Sequence, residues 1–298
     1  MSNGTKTGKP ADTRKINSGK IARKSVKWLA FPYIIWMAIF IIVPILLIFY
    51  FAFNSGGAEE FHFTFENLKN AIDPLFTVTL LKSMQIAVIS TVFCLLLAYP
   101  LALILLKMKK RTRNLLVVLF MLPMWMNFLV RTLAWVNIFE SGEAGLINSL
   151  LISVGLHPIQ FLYNDVAVIV VMIYNYLPFM ILPIYTSLEK IDNRIIEAAK
   201  DLGADSYKVF RTVTLPLSLP GIISGITMVF MPTVTTFAIP RLVGGSQRLI
   251  GDMIEKQFLE LNNVNLGSAI SIFLMILILL SMAILRKFDK DNEQGGVV

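Results

Sequence analysis

Long runs without a single charge constrain this chain more than anything else in it. They occur at 28–58, 83–106, 166–188, 212–240 and 261–285, and 114–139 makes a sixth interrupted only by Arg131. A helix needs ~20 apolar residues to cross ~30 Å of hydrocarbon. The runs are continuously apolar instead of alternating, so helices, which satisfy their own backbone, are the spanning structure they predict. With 56% of residues hydrophobic and 15% charged, the composition is that of an all-α integral membrane protein.

A seventh uncharged run, 144–164, carries Asn148, Ser149, Ser153, His157, Pro158, Gln160 and Asn164. Its polarity predicts an interfacial helix lying on the membrane. Basic residues support the count of six. With both termini inside, the inner segments hold eight (1–27), five (107–113), five (189–211) and three (286–290), which is 21 of the 27 Lys and Arg. Lys and Arg favour the cytoplasmic side, and counting 144–164 as a crossing would put 189–211 outside. The net charge of +8 is thus a topology signal and not the footprint of a nucleic-acid partner. Residues 1–27 predict a disordered basic cytoplasmic tail, 28–285 the six-span domain, and 286–298 a cytoplasmic C-terminal tail.

Enzyme chemistry needs a nucleophile with a base, an acid–base pair or a metal. Every Asp and Glu falls outside the six runs; Cys94 is the single cysteine, and His62 and His157 stand alone. No metal, cofactor or catalytic residue is expected. "GTKTGKP" at 4–10 is one residue short of a phosphate-binding loop and lacks its hydroxyl, so ATP hydrolysis is not expected of this chain. Prolines at 44, 100, 123, 178, 183, 216, 220 and 232, with Gly221 and Gly225, mark either bends or breaks that line a path.

The segment 189–211 holds five acids and five bases, so it is not merely topogenic. Ile191, Ile195, Ala198, Ala199 and Leu202 recur at helical spacing opposite the charges. Asp192 can cap a helix, Gly203 can end it in a left-handed turn, and Asp205 can cap a second short helix to Arg211. Such a hairpin could rest on lipid headgroups or dock into a groove on a cytoplasmic protein.

"EAAKDLG" followed after nine residues by "VTLP" resembles the EAA motif of ATP-binding-cassette importer permeases. Glu197, Ala198, Ala199, Gly203, Leu215 and Pro216 match, and Val213 stands where isoleucine is usual. The resemblance implies a type I (MetI-like) six-transmembrane-helix bundle whose loop docks on a separate ATPase subunit. Glu197 would then make polar contact, Ala198 and Ala199 would allow close approach, Gly203 would set the turn, and Asp201 and Leu202 would lie within the coupling segment. "MLPMWMNFLVRTLAWVNIF" and "LVGGSQRLIGDMIEKQF" look like the spermidine/putrescine permeases, first of two paralogous membrane subunits. That implies two ATPase copies, a second permease, an extracytoplasmic binding protein and the bacterial cytoplasmic membrane. Permeases for an organophosphonate, iron complex or oxyanion share the loop, and an ion-coupled secondary transporter or a membrane anchor are the other readings.

Ten outer acids facing four bases suggest a mouth that concentrates cations. Arg131 is expected to form a structural ion pair with Glu140, or to face the path. Trp125, Asn127, Trp135 and Tyr176 join Arg131 as path candidates, because aromatic faces bind cations.

Overall fold

A computed structural model describes residues 31–56, 60–141, 145–245 and 249–295, with side chains given to residue 287. The expected tail at 1–27 lies outside the described residues. The chain divides into two compact units, residues 1–50 and 51–298. Helix α1 (Phe31–Ala52) is long and apolar enough to span. It widens into a π-turn over Ala38–Ile42 just before Pro44. A proline ring clashes with the carbonyl four residues back, and a widened turn relieves that clash.

In the second unit, a short α2 (Glu66–Asn70) precedes α3 (Pro74–Lys107), which Asp73 caps through the Leu75 N–H at 2.9 Å. Then come α4 (Lys110–Trp125), α5 (Phe128–Phe139), α6 (Leu146–Ser153) and α7 (Asp165–Glu189). They are followed by α8 (Asn193–Asp201), α9 (Ser206–Thr235), α10 (Ala238–Val243), α11 (Ile250–Leu259) and α12 (Val264–Gly295). The described residues are helical apart from turns and one isolated bridge, Asn54 to Phe63.

Among the described residues, five helices are long and apolar enough to span: α1, α3, α7, α9 and α12. The expected sixth, 114–139, is not one rod. α4 and α5 meet at 93° across Met126 and Asn127. Pro123 sits in the last turn of α4, and the Asn127 side chain accepts from Leu129 N–H at 2.9 Å and starts a new helix. The span expected at 212–240 likewise ends at Thr235, one turn after Pro232, and restarts as α10. Elsewhere the prolines only bend: α3 runs through Pro100, and α7 through Pro178 and Pro183.

Three corrections concern helix bounds. The second short helix expected at 206–211 is the first turn of α9, joined to it through a π-turn at Phe210–Thr214 ahead of Pro216. In 144–164 only Leu146–Ser153 is helical. Asn148, one of the polar residues of that run, is 1% exposed. Its amide donates to the Glu140 and Ile159 carbonyls at 3.1 and 3.0 Å and accepts from Ile159 N–H at 2.9 Å. Finally, residues 286–295 continue α12.

The core is α3, α7 and α9. Along α3, Ser83, Ala87, Ser90, Cys94, Ala98 and Ala102 are all fully buried, three or four residues apart on one face. Lipid gives no hydrophobic drive between helices, so small residues that let backbones approach supply the packing. α7 answers with Met172, Met180, Ile181 and Ile184. On α9, a Cβ at Gly221 would meet Ser187 and come within 2.6 Å of the Pro183 carbonyl, and one at Gly225 would lie 2.7 Å from the Met180 sulfur. Gly221 must be glycine for α9 to lie this close to α7, and at Gly225 any side chain would require the flexible Met180 to move. Tyr99 and Ser218 share a hydrogen bond of 2.9 Å between α3 and α9, and Ser83 accepts from Ile250 N–H at 2.8 Å.

Candidate functional site

The helical hairpin after α7 is built as its residues dictate. Asp192 accepts from Arg194 N–H at 3.0 Å and opens α8. Gly203, at φ +82°, closes it: its N–H reaches the Lys200 carbonyl at 2.8 Å, and Ala204 N–H reaches the Ala199 carbonyl at 3.1 Å. This is the Schellman arrangement, which satisfies carbonyls left over at a helix end. Asp205 then accepts from Lys208 N–H at 2.9 Å and starts α9.

No residue of α8 is buried. Glu197, Ala198 and Asp201 are exposed, Ala199 is half-buried, and Leu202 is 89% exposed. The helix is thus amphipathic and capped at both ends, and among the described residues its apolar stripe is left open. Leu215 packs on the core, and Pro216 follows the π-turn that carries the hairpin into α9. So the eight residues expected at the coupling site fall into one hairpin and its stem.

The stem is braced by a contact the sequence did not reveal. Arg113, near the start of α4, reaches Glu189, the last residue of α7, at 3.1 Å, and the Tyr185 hydroxyl donates to the same Glu189 oxygen at 2.8 Å. In sequence Arg113 is one of five cations in a row of topogenic charges, with nothing to single it out.

The path candidates separate. Trp125 is 77% exposed at the end of α4, and Asn127 is exposed and acts as the α5 cap. Trp135 packs on Phe139 and Tyr174, with ring centroids 5.0 and 5.1 Å apart. Tyr176 is 8% exposed and lies beside Thr236 at the α9–α10 break and near Arg131. Arg131 itself is 7% exposed, and its Nε and Nη1 are sequestered with no hydrogen-bond partner. The expected pair with Glu140 is not formed. Glu140 ends α5 and its backbone is held by Asn148. The structure thus gathers Arg131, Tyr176 and Thr236, and leaves Trp125 and Asn127 on the surface of this chain.

The outer acids are less available than their number implies. Asp165 pairs with Lys82 at 3.0 Å, Arg241 holds Glu255 at 2.8 Å and Glu260 at 3.4 Å, and Asp252 is 6% exposed. Glu59, Glu143 and Arg248 lie outside the described residues. Both His62 and His157 are exposed.

The family described as "Binding-protein-dependent transport system inner membrane component" matches residues 94–293. The spermidine/putrescine transport system permease protein PotB of Haemophilus influenzae is 38% identical over 261 residues, covering 86% of this chain and 91% of the relative. Its Escherichia coli K12 counterpart is 38% identical over 247 residues, covering 81% and 89%. A putative 2-aminoethylphosphonate transport system permease protein, PhnU of Salmonella choleraesuis, is 31% identical over 225 residues, covering 73% and 75%. Among solved structures, a chain of a bacterial alginate ABC transporter in complex with its pentasaccharide-bound periplasmic protein superposes with a TM-score of 0.75 at 18% identity, covering 89% and 94%. A chain of the inward-facing MetNI methionine ABC transporter gives 0.55 at 18%, covering 74% and 98%. These two share the type I importer permease fold. The chain belongs to the inner membrane component family of binding-protein-dependent transport systems, as an ABC importer permease homologous to the spermidine/putrescine permeases.

Proposed function

We propose that this chain moves polyamines inward across the bacterial cytoplasmic membrane by alternating access, driven by a separate ATPase. The observation that carries the reading is the exposed, doubly capped α8 hairpin bearing Glu197, Ala198, Ala199 and Gly203. Among the described residues nothing covers it. The polyamine assignment is supported by relatives named for spermidine and putrescine that match over more than four fifths of the chain.

In this reading both termini are cytoplasmic, residues 28–285 form the permease domain, and α8 enters a cleft on one of two ATPase copies. A second paralogous permease and an extracytoplasmic binding protein complete the importer, and this chain hydrolyses no ATP. Arg131, Trp135 and Tyr176 face the path, with Trp125 and Asn127 turned towards the second permease.

The second reading is a phosphonate or similar anion importer. It is favoured by the buried, unpaired Arg131 and by the 2-aminoethylphosphonate relative. Uptake of labelled spermidine in cells with and without this chain separates the two. Loss on deletion, with competition by putrescine and not by 2-aminoethylphosphonate, supports the polyamine reading. Uptake that survives deletion in a strain without other polyamine importers discards it.

A further inference from the structure

At the end of the molecule that carries α8, a cavity of about 390 Å³ lies behind that helix. Its walls are apolar, with Leu103 and Leu106 of α3 among them, and its polar groups are Lys107, Arg113, Asn193 and Thr214, with Glu189 already held by Arg113. Arg113 spends one guanidinium nitrogen on Glu189, and its Nε is buried without an acceptor. Lys107, and Lys109, Lys110 and Arg111 beside it, form no ion pair among the described residues. A basic connection is accounted for by membrane orientation alone. A cavity lined by a lysine with no ion pair and by an arginine with guanidinium N–H groups to spare is not.

We propose that this cavity binds the phosphate headgroup of an anionic phospholipid. Basic pockets between membrane helices at the cytoplasmic surface suit such headgroups, and a phosphate oxygen makes charge-assisted hydrogen bonds with lysine and guanidinium donors such as those that line this one. Seven and eleven residues before Leu103, on the same face of α3 and towards the membrane interior, Leu96 and Val92 are exposed, and an acyl chain can lie there. That continuity favours a lipid over a free anion. Because Asn193 opens α8, the headgroup would sit against the base of the coupling helix. The site does not depend on the identity of the transported solute.

The test is native mass spectrometry of the full chain in detergent, titrated with phosphatidylglycerol, phosphatidylcholine or inorganic phosphate. Phosphatidylglycerol is expected to bind in preference to phosphatidylcholine and to resist displacement by inorganic phosphate. Lys107→Gln is expected to weaken that binding about fivefold, the worth of one surface cation near an anionic headgroup. Asn193→Asp puts a negative charge in the cavity at a helix start that tolerates acids, so it should abolish the preference while leaving thermal unfolding unchanged. Equal binding of the two lipids, or a preference that survives both substitutions, overturns the proposal. Displacement by inorganic phosphate would make the site one for a free anion. Loss of ATPase binding in the two variants without any lipid preference would assign the cavity to an acidic segment of the motor, and would overturn the lipid as well.

Discussion

Arg113 and Glu189 face each other at 3.1 Å across the point where the first half of the broken helix pair meets the end of α7. Three residues after Glu189 the α8 hairpin begins with its cap, Asp192. A force applied to α8 therefore reaches α4 through this pair as well as α9 through the hairpin stem. The pair is half-exposed, and such pairs contribute roughly 0.5–1 kcal/mol. Arg113→Glu or Glu189→Arg should lower uptake per ATP hydrolysed by a few-fold without unfolding the protein. The double exchange should restore it, which a double-mutant comparison of coupling ratios reads directly.

Gly203 is constrained by its backbone and not by space. A Cβ there would touch nothing within 4 Å, yet φ is +82°. A β-branched residue is strained in that region by about 1–2 kcal/mol, whereas asparagine visits it readily. Gly203→Val should leave the protein in the membrane while uncoupling ATP hydrolysis from uptake; Gly203→Asn should retain most uptake. Equal behaviour of the two variants would show that the left-handed turn is not what the hairpin needs.

Gly221 is constrained by space. Its Cβ would run into Ser187 and the Pro183 carbonyl of α7, so Gly221→Val must push the two helices apart. Overpacking of this kind costs about 1–3 kcal/mol. The expected result is a lower melting temperature and a lower level in the membrane, with uptake per surviving molecule little changed.

Among the described residues Arg131 has no ion-pair partner, and it is buried to 7% exposure. Replacing a buried charge by an apolar side chain of similar length is commonly neutral or stabilising. Arg131→Met should accumulate to at least the normal level, and altered uptake at that level would place the guanidinium in the path. A sharp fall in level would show instead that a neighbouring subunit pairs it.

The hairpin was legible in the sequence because each device in it is local. Asp192, Asp205 and Gly203 act on backbone groups two to five residues away, so their spacing alone gives the geometry. The spans were legible for the same reason, since hydropathy needs no partner. What escaped depends on distance. Proline at 123 breaks a helix and proline at 100 does not, because only packing decides whether the freed carbonyls find other partners. Asn148 reads as a polar surface residue until Glu140 and Ile159 close around it. The pairing of Arg131 with Glu140 failed because α5 places the two differently: Arg131 is buried within the helix, while the glutamate ends it. The seam of small residues on α3 was available as a spacing of three and four, and it gains meaning only with α7 laid against it.

The central claim is that α8 is the handle of an external motor. The most direct test reconstitutes this chain with its second permease, the ATPase and the binding protein in proteoliposomes, and follows entry of labelled spermidine. The account predicts entry only when ATP reaches the motor side, none from an ion gradient alone, and loss of entry with continued ATP hydrolysis in Gly203→Val. Spermidine entry driven by an ion gradient in the absence of the ATPase would contradict it.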